Sequence, residues 1–210
     1  MSGRERDTHP VVRMLAVMAA ATLIVGLLNN CASAEPAKPN VTFQISYYPV
    51  SGHSIAEIRN SIGQNTPSKE GDVFYAGVTI WDLNSSFDMV GSPSGCTLTN
   101  SQVYLNTTIH LPQLADQSLV SDGVRSEWTR FSNALKTHEM MHAKNAYRAA
   151  STLLSKINNL STSVQCDRAR IIIQEGTDAL IKRITEFDRD LDNETEHGRT
   201  QGAYLNLGVR

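Results

Sequence analysis

The chain lacks a surplus of charge. Nineteen Lys and Arg face 21 Asp and Glu over 210 residues. That balance offers no basic stripe to a nucleic acid or an anionic membrane surface. Internal repeats are absent too. Cysteine is scarce, with three in the whole chain. Apolar runs are short. The one long run, Met14 to Leu28, covers 15 residues, whereas a spanning helix needs about 20.

That run reads instead as part of a secretory signal over residues 1–34. Arg4, Arg6 and Arg13 form a basic start, and Ala32-Ser33-Ala34 is a small-x-small cleavage site before Glu35-Pro36. Asn29-Asn30 ends the apolar run. Lipidation of Cys31 is an alternative, with Leu28 three residues before it; Asn30 directly before the cysteine speaks against it. Removal of 34 residues from 210 leaves 176, a length for one domain, 35–210, with its own core and no stable membrane span. The remainder carries 16 basic and 19 acidic residues. It keeps two cysteines, Cys96 and Cys166. In an exported protein an isolated pair is most simply a disulfide, here closing a loop of about 70 residues and contributing roughly 4 kcal/mol. Zinc ligation by the two is the alternative.

Against these absences stands one motif. His138-Glu139-Met140-Met141-His142 reads H-E-x-x-H. Two histidines four apart project from one side of a helix, so their imidazoles can grip one metal ion. Glu139 between them can reach a water at that ion, the arrangement of a zinc hydrolase. By chance the pattern arises in roughly one chain in a hundred. Its context is helical. Trp128, Phe131, Leu135, His138, His142, Ala146, Ala149, Leu153 and Ile157 step by threes and fours along one stripe. Two imidazoles on an apolar stripe need partners, because an unpaired buried polar group costs about 1–3 kcal/mol. Zinc is the expected partner; backbone carbonyls or acidic side chains are the alternative.

A hydrolytic zinc site needs a third protein ligand and an open position. After the signal only His53, His110, His138, His142 and His197 remain as histidines. Asp167, Glu175, Asp178, Asp192 and Glu194 are the carboxylate candidates.

The order of elements predicts α+β. Val41–Val50 alternates as a strand. Ser54-Ile55-Ala56-Glu57 is a capping box opening a short helix with Ile55, Ile58 and Ile62 on one face. Val73–Met89 reads as strand, with a hairpin turn expected at Asn84-Ser85-Ser86. Gly91–Gly95 is a loop, and Val103 to Leu111 alternates until Pro112. From about Asp122 the period becomes helical, first to about Asn158. A second helix is traced by Ala169, Ile172, Ile173, Gly176, Leu180, Ile184, Phe187 and Leu191. Strands first and helices second imply a small, mainly antiparallel sheet packed on two long helices. The polar tail after Asp192 has the composition of a frayed end.

The chain resembles a bacterial family of predicted secreted zinc-dependent proteases, built on a domain otherwise of unknown function. The likeness runs from about Tyr47 to Ala203. It rests on Tyr48-Pro49-Val50-Ser51-Gly52, Ala76 to Trp81, Cys96, Ile109-His110-Leu111-Pro112, Trp128, the H-E-x-x-H helix and Cys166. The C-terminal Asp192-x-x-Thr195-x-His197-Gly198-x-x-Gln201-Gly202-Ala203 completes it; Leu191 stands where the family usually has Tyr. The resemblance implies a zincin-like domain in which His138, His142 and His197 hold zinc, with Asp192 beside an imidazole. A ligand role for Asp192, with His197 as a transition-state donor, is the alternative; Glu175 is another. Glu139 would be the general base, and His110, Tyr204 or Tyr48 an oxyanion donor. The expected function is a secreted or periplasmic zinc-dependent metallopeptidase acting on peptide or protein. The rivals are a non-catalytic exported zinc-binding module and a zinc amidohydrolase acting on cell-wall peptides.

Overall fold

The computed structural model describes residues 37–160 and 163–209; the expected signal segment, with Cys31, lies outside them. Chain order is β1 (Asn40–Val50), α1 (Ile55–Asn65), β2 (Ser68–Glu70), β3 (Val73–Tyr75), β4 (Val78–Ser92), β5 (Gly95–Leu114), α2 (Asp122–Asn158) and α3 (Cys166–Thr195). β1, β5 and β4 form one sheet in the order β1-β5-β4, while β2 and β3 pair separately. β4 runs antiparallel to β5, and β1 parallel to it. The fold is thus α+β, with a small sheet on two long helices. Among the described residues no helix is long and apolar enough to cross a membrane.

The alternation of β5 sets the layers. Val103, Leu105, Thr107, Ile109 and Leu111 are buried, while Tyr104 and Asn106 between them are exposed. This is the period of two of a half-buried strand. The hairpin turn differs from the expectation. Asn84, Ser85 and Ser86 stay in the ladder opposite Tyr104, Val103 and Gln102. The chain reverses later, at Pro93-Ser94, between Ser92 and Gly95. A register shift between Ser86 and Asp88 marks where the polar stretch was accommodated without turning. Pro112 does not end β5 either: it pairs with Tyr48, and the strand runs on to Leu114.

α1 is capped as the sequence predicts at Ser54, whose hydroxyl accepts from Glu57 N at 3.3 Å. Glu57 reaches back one residue further than the usual box, accepting from His53 N at 2.7 Å. Ile55, Ile58 and Ile62 are essentially inaccessible, and each contributes roughly 1.5–3 kcal/mol by burial.

α2 is 37 residues long, about 55 Å at 1.5 Å per residue. Its stripe serves two apolar clusters. Trp128, Phe131 and Leu135 pack with α1 and the ends of β1 and β5. Ala146, Ala149, Leu153 and Ile157 pack with β4, the first half of β5 and α3. His138 and His142 fall at the seam between them. The Cys96–Cys166 disulfide ties the start of β5 to the first residue of α3. It closes the loop expected from the sequence and anchors the helix that faces α2.

Candidate metal centre

His138 and His142 are buried, with 2% and 6% of their surface exposed. Their Nε2 atoms lie 3.3 Å apart. Asp192, one turn before the end of α3, completes a triangle. Its Oδ1 is 3.0 Å from His138 Nε2 and 3.2 Å from His142 Nε2. Among the described residues these three form the cluster that could hold a metal ion.

The triangle suits zinc. Zinc–ligand distances of about 2.0–2.1 Å give a tetrahedron with edges of about 3.3–3.4 Å, close to the three separations. The outer nitrogens point the same way. His138 Nδ1 lies 3.0 Å from Gln201 Oε1, and His142 Nδ1 lies 3.0 Å from Asp188 Oδ1. Both partners are acceptors, so each Nδ1 carries a proton and each Nε2 turns its lone pair to the centre. Three acceptor atoms then face one another, an arrangement that a cation satisfies. Burial pulls the His142 imidazole down, but hydrogen bonds to Asp188 and Asp192 prevail and raise it to about 10. Burial works against the Asp192 carboxylate as well, yet the two imidazoles hold it well below the usual carboxylate range.

Asp188 was not among the sequence candidates. The stepping pattern placed Phe187 on the buried stripe, but Phe187 is 39% exposed. Steps of four from Leu180 through Ile184 lead instead to Asp188 and then Asp192. This i, i+4 acidic pair on α3 faces the i, i+4 histidine pair on α2. Asp188 Oδ2 also accepts from Trp81 Nε1 at 3.0 Å, fixing the carboxylate from β4.

The structure places Asp192 in the triangle and His197 outside it. His197 Nδ1 stands 3.7 Å from Asp192 Oδ1, with the side chain half exposed. The reason is backbone. Glu196, His197 and Gly198 leave α3 in consecutive left-handed conformations, with φ of 51°, 53° and 79°. This turns the His197 ring onto Tyr75, with centroids 4.4 Å apart. Gly198 is then pressed against His138: a Cβ there would fall 2.8 Å from the ring's Cγ. The same turn delivers Gln201 to His138. Replacing Gln201 with Ala should therefore weaken zinc binding about 10–100-fold, the usual cost of losing a ligand's outer partner. Competition against a chromophoric chelator would read it; an unchanged affinity would remove Gln201 from the site.

The tail is not frayed. Arg130 grips both carboxylate oxygens of Glu127, at 2.8 and 2.7 Å. It also donates to the carbonyls of Gly202 and Tyr204, at 2.7 and 2.5 Å. Asn206 N donates to Glu127 Oε1 at 2.7 Å. Two charged residues of α2 thus strap down the segment carrying Gln201.

Glu139 sits beside the triangle rather than in it. It is 4% exposed, and burial pushes its carboxyl above the ordinary range. Thr79 Oγ1 lies 2.8 Å from its Oε2. The other oxygen abuts Gly77, where a Cβ would come within 2.5 Å of Oε1. Tyr48 steadies that stretch, its hydroxyl donating to Ala76 O at 2.6 Å; burial raises this phenol to about 12. Gly77→Ala should displace the Glu139 carboxylate while leaving the triangle intact. Metal uptake should hold; loss of metal binding in this variant would mean that Gly77 supports the whole centre.

All of this opens on a cleft of about 910 Å³. Of the oxyanion candidates, Tyr204 lines it and His110 and Tyr48 do not. Glu175 is exposed on α3, as are Asp167, Asp178 and Glu194, and none of them belongs to the cluster.

Fold and site together define an α+β protein with a candidate metal centre of two histidines and one aspartate, shared between facing helices. The chain belongs to the family described as "Bacterial protein of unknown function (DUF922)", whose model matches residues 45–198. No curated protein and no solved structure matches the chain significantly.

Proposed function

We propose that the chain is an exported zinc-dependent metallopeptidase. The observation that carries this reading is a three-donor triangle open to a large cleft, with a buried carboxylate alongside that is not one of the donors. Catalytic zinc sites use three protein ligands and leave a position open, whereas structural sites close with four. That difference favours an enzyme over a non-catalytic zinc module.

His138, His142 and Asp192 would hold the ion. Zinc supplies a Lewis acid that activates water and polarises a carbonyl. Glu139 takes the proton from the attacking water and returns it to the leaving amine. Its raised pKa suits the second half of that cycle, because the carboxyl can hold the proton it has taken. Thr79 keeps the carboxylate in one rotamer. His197 and Tyr204, which both line the cleft, are the candidates to donate to the developing oxyanion.

β4 is an edge strand of its sheet, and Val78 and Thr79 from it line the cleft. An extended polypeptide can add to such an edge through its backbone. This supports a peptide or protein substrate. The Cys96–Cys166 disulfide fits an oxidising compartment, in keeping with a secreted or periplasmic location.

The test begins with metal content. Purified protein should take up one zinc per chain, and the loaded form should cut an unfolded protein. A chelator should stop the reaction and added zinc restore it. Failure to bind zinc on reconstitution would overturn the reading.

A further inference from the structure

The cleft is not the same on its two sides. On the side of Asp188 and Asp192 its wall is carboxylate. Towards the N-terminus of α2 the floor passes from His138 to Leu135 and Phe131, residues of one buried stripe. Seven residues of helix cover about 10 Å. That reach accommodates one large side chain beside the centre, or about three residues of extended chain at 3.3 Å each. The walls of this half are also apolar. Phe74 comes from β3, and Ala203, Tyr204 and Leu205 from the C-terminal strap. Phe74, Ala203 and Leu205 pack against the same core cluster as the floor while remaining partly exposed. Outside the metal cluster, the charged side chains lining the cleft are Glu139 and Asp188 beside the centre, buried and partly buried, and Arg59, Glu70, Asp72, Glu196 and Arg199, all exposed. Away from the centre, the apolar half therefore offers no buried charge; Arg59, 5.4 Å over the Phe74 ring, is exposed.

We infer that this half is a specificity pocket for a large apolar side chain, such as Leu, Phe or Met, next to the bond that is cut. The inference rests on the peptidase reading and narrows it. A charged side chain would lose its water there and gain no buried partner of opposite charge, whereas an apolar one gains by leaving water.

The experiment uses quenched fluorescent peptides identical except at the residues flanking the cut, with Gly, Asp, Lys, Leu or Phe in turn. Zinc-loaded full chain should favour Leu or Phe on one flank by roughly 10–100-fold in kcat/KM, the discrimination an apolar pocket affords. Binding of the same peptides to the metal-free chain, followed by fluorescence anisotropy, should rank them in the same order. Leu205→Asp should lower the preference for Leu and raise that for Lys. If that variant does not fold, the peptide series on the unaltered chain still decides. Cleavage with no apolar preference would overturn the pocket and leave the peptidase standing. So would a preference for small or charged residues, as in the cross-linking peptides of a bacterial wall. Neither cleavage nor binding of any peptide would remove the peptidase reading and the pocket with it.

Discussion

Glu139→Gln should lower kcat by about 10²–10⁴-fold, the range attributed to a positioned general acid–base group, and leave zinc stoichiometry at one per chain. The two halves of this expectation have separate causes. Glu139 contributes no atom to the triangle of His138, His142 and Asp192, so metal binding does not depend on it. The amide is nearly isosteric, and its carbonyl oxygen can still accept from Thr79. What it cannot do is take a proton. Folding should not suffer, because Glu139 is 4% exposed and a buried charge is costly to keep; a melting temperature equal to or above the parent's is expected. Hydrolysis at the parent's rate would sink the mechanism. Loss of zinc in this variant would mean that Glu139 is a ligand and that the triangle has been misread.

How much of this was legible beforehand depended on which physical signal each residue carried. The histidine pair was legible because its period matches the apolar stripe of α2, and that stripe is buried as expected. The limits of α2 were legible from the change of period near Asp122 and from Asn158-Asn159; the cap at Ser121, whose hydroxyl accepts from Val124 N at 3.3 Å, came from the structure. The hairpin was misplaced because Asn84-Ser85-Ser86 has turn chemistry. Composition does not register that Tyr104, Val103 and Gln102 on β5 hold these residues in the ladder. Asp188 was hidden by Phe187: a bulky apolar residue at step three outweighed an acid at step four, although the acid is the one that faces His142. The tail looked frayed because its order comes from Glu127 and Arg130, about 75 residues away, and no local pattern reports a long-range clamp. The disulfide, by contrast, needed no geometry, since few cysteines left few partners.

The largest effect on metal binding should come from Asp192, and its comparison with His197 tests the geometry most directly. Asp192→Ala should weaken zinc binding by more than the roughly 10–100-fold that loss of an outer partner costs. His197→Ala should stay within that range or below it and act mainly on kcat. Ligand chemistry alone ranks an imidazole above a carboxylate, which is why the sequence favoured His197. Position reverses the ranking. Asp192 is still on α3, where the helix fixes its Cβ direction towards α2, and its oxygen lies 3.0 and 3.2 Å from the two Nε2 atoms. His197 lies beyond the helix end, in a left-handed turn that sends its ring to Tyr75. To join the centre its ring would have to leave Tyr75. An Asp192→Asn control separates charge from shape: the amide keeps an oxygen at the vertex but no negative charge, so its affinity should fall between parent and Ala. Should His197→Ala instead lose zinc while Asp192→Ala keeps it, the His197 ring leaves Tyr75 for the centre on metal binding and the triangle has been misread.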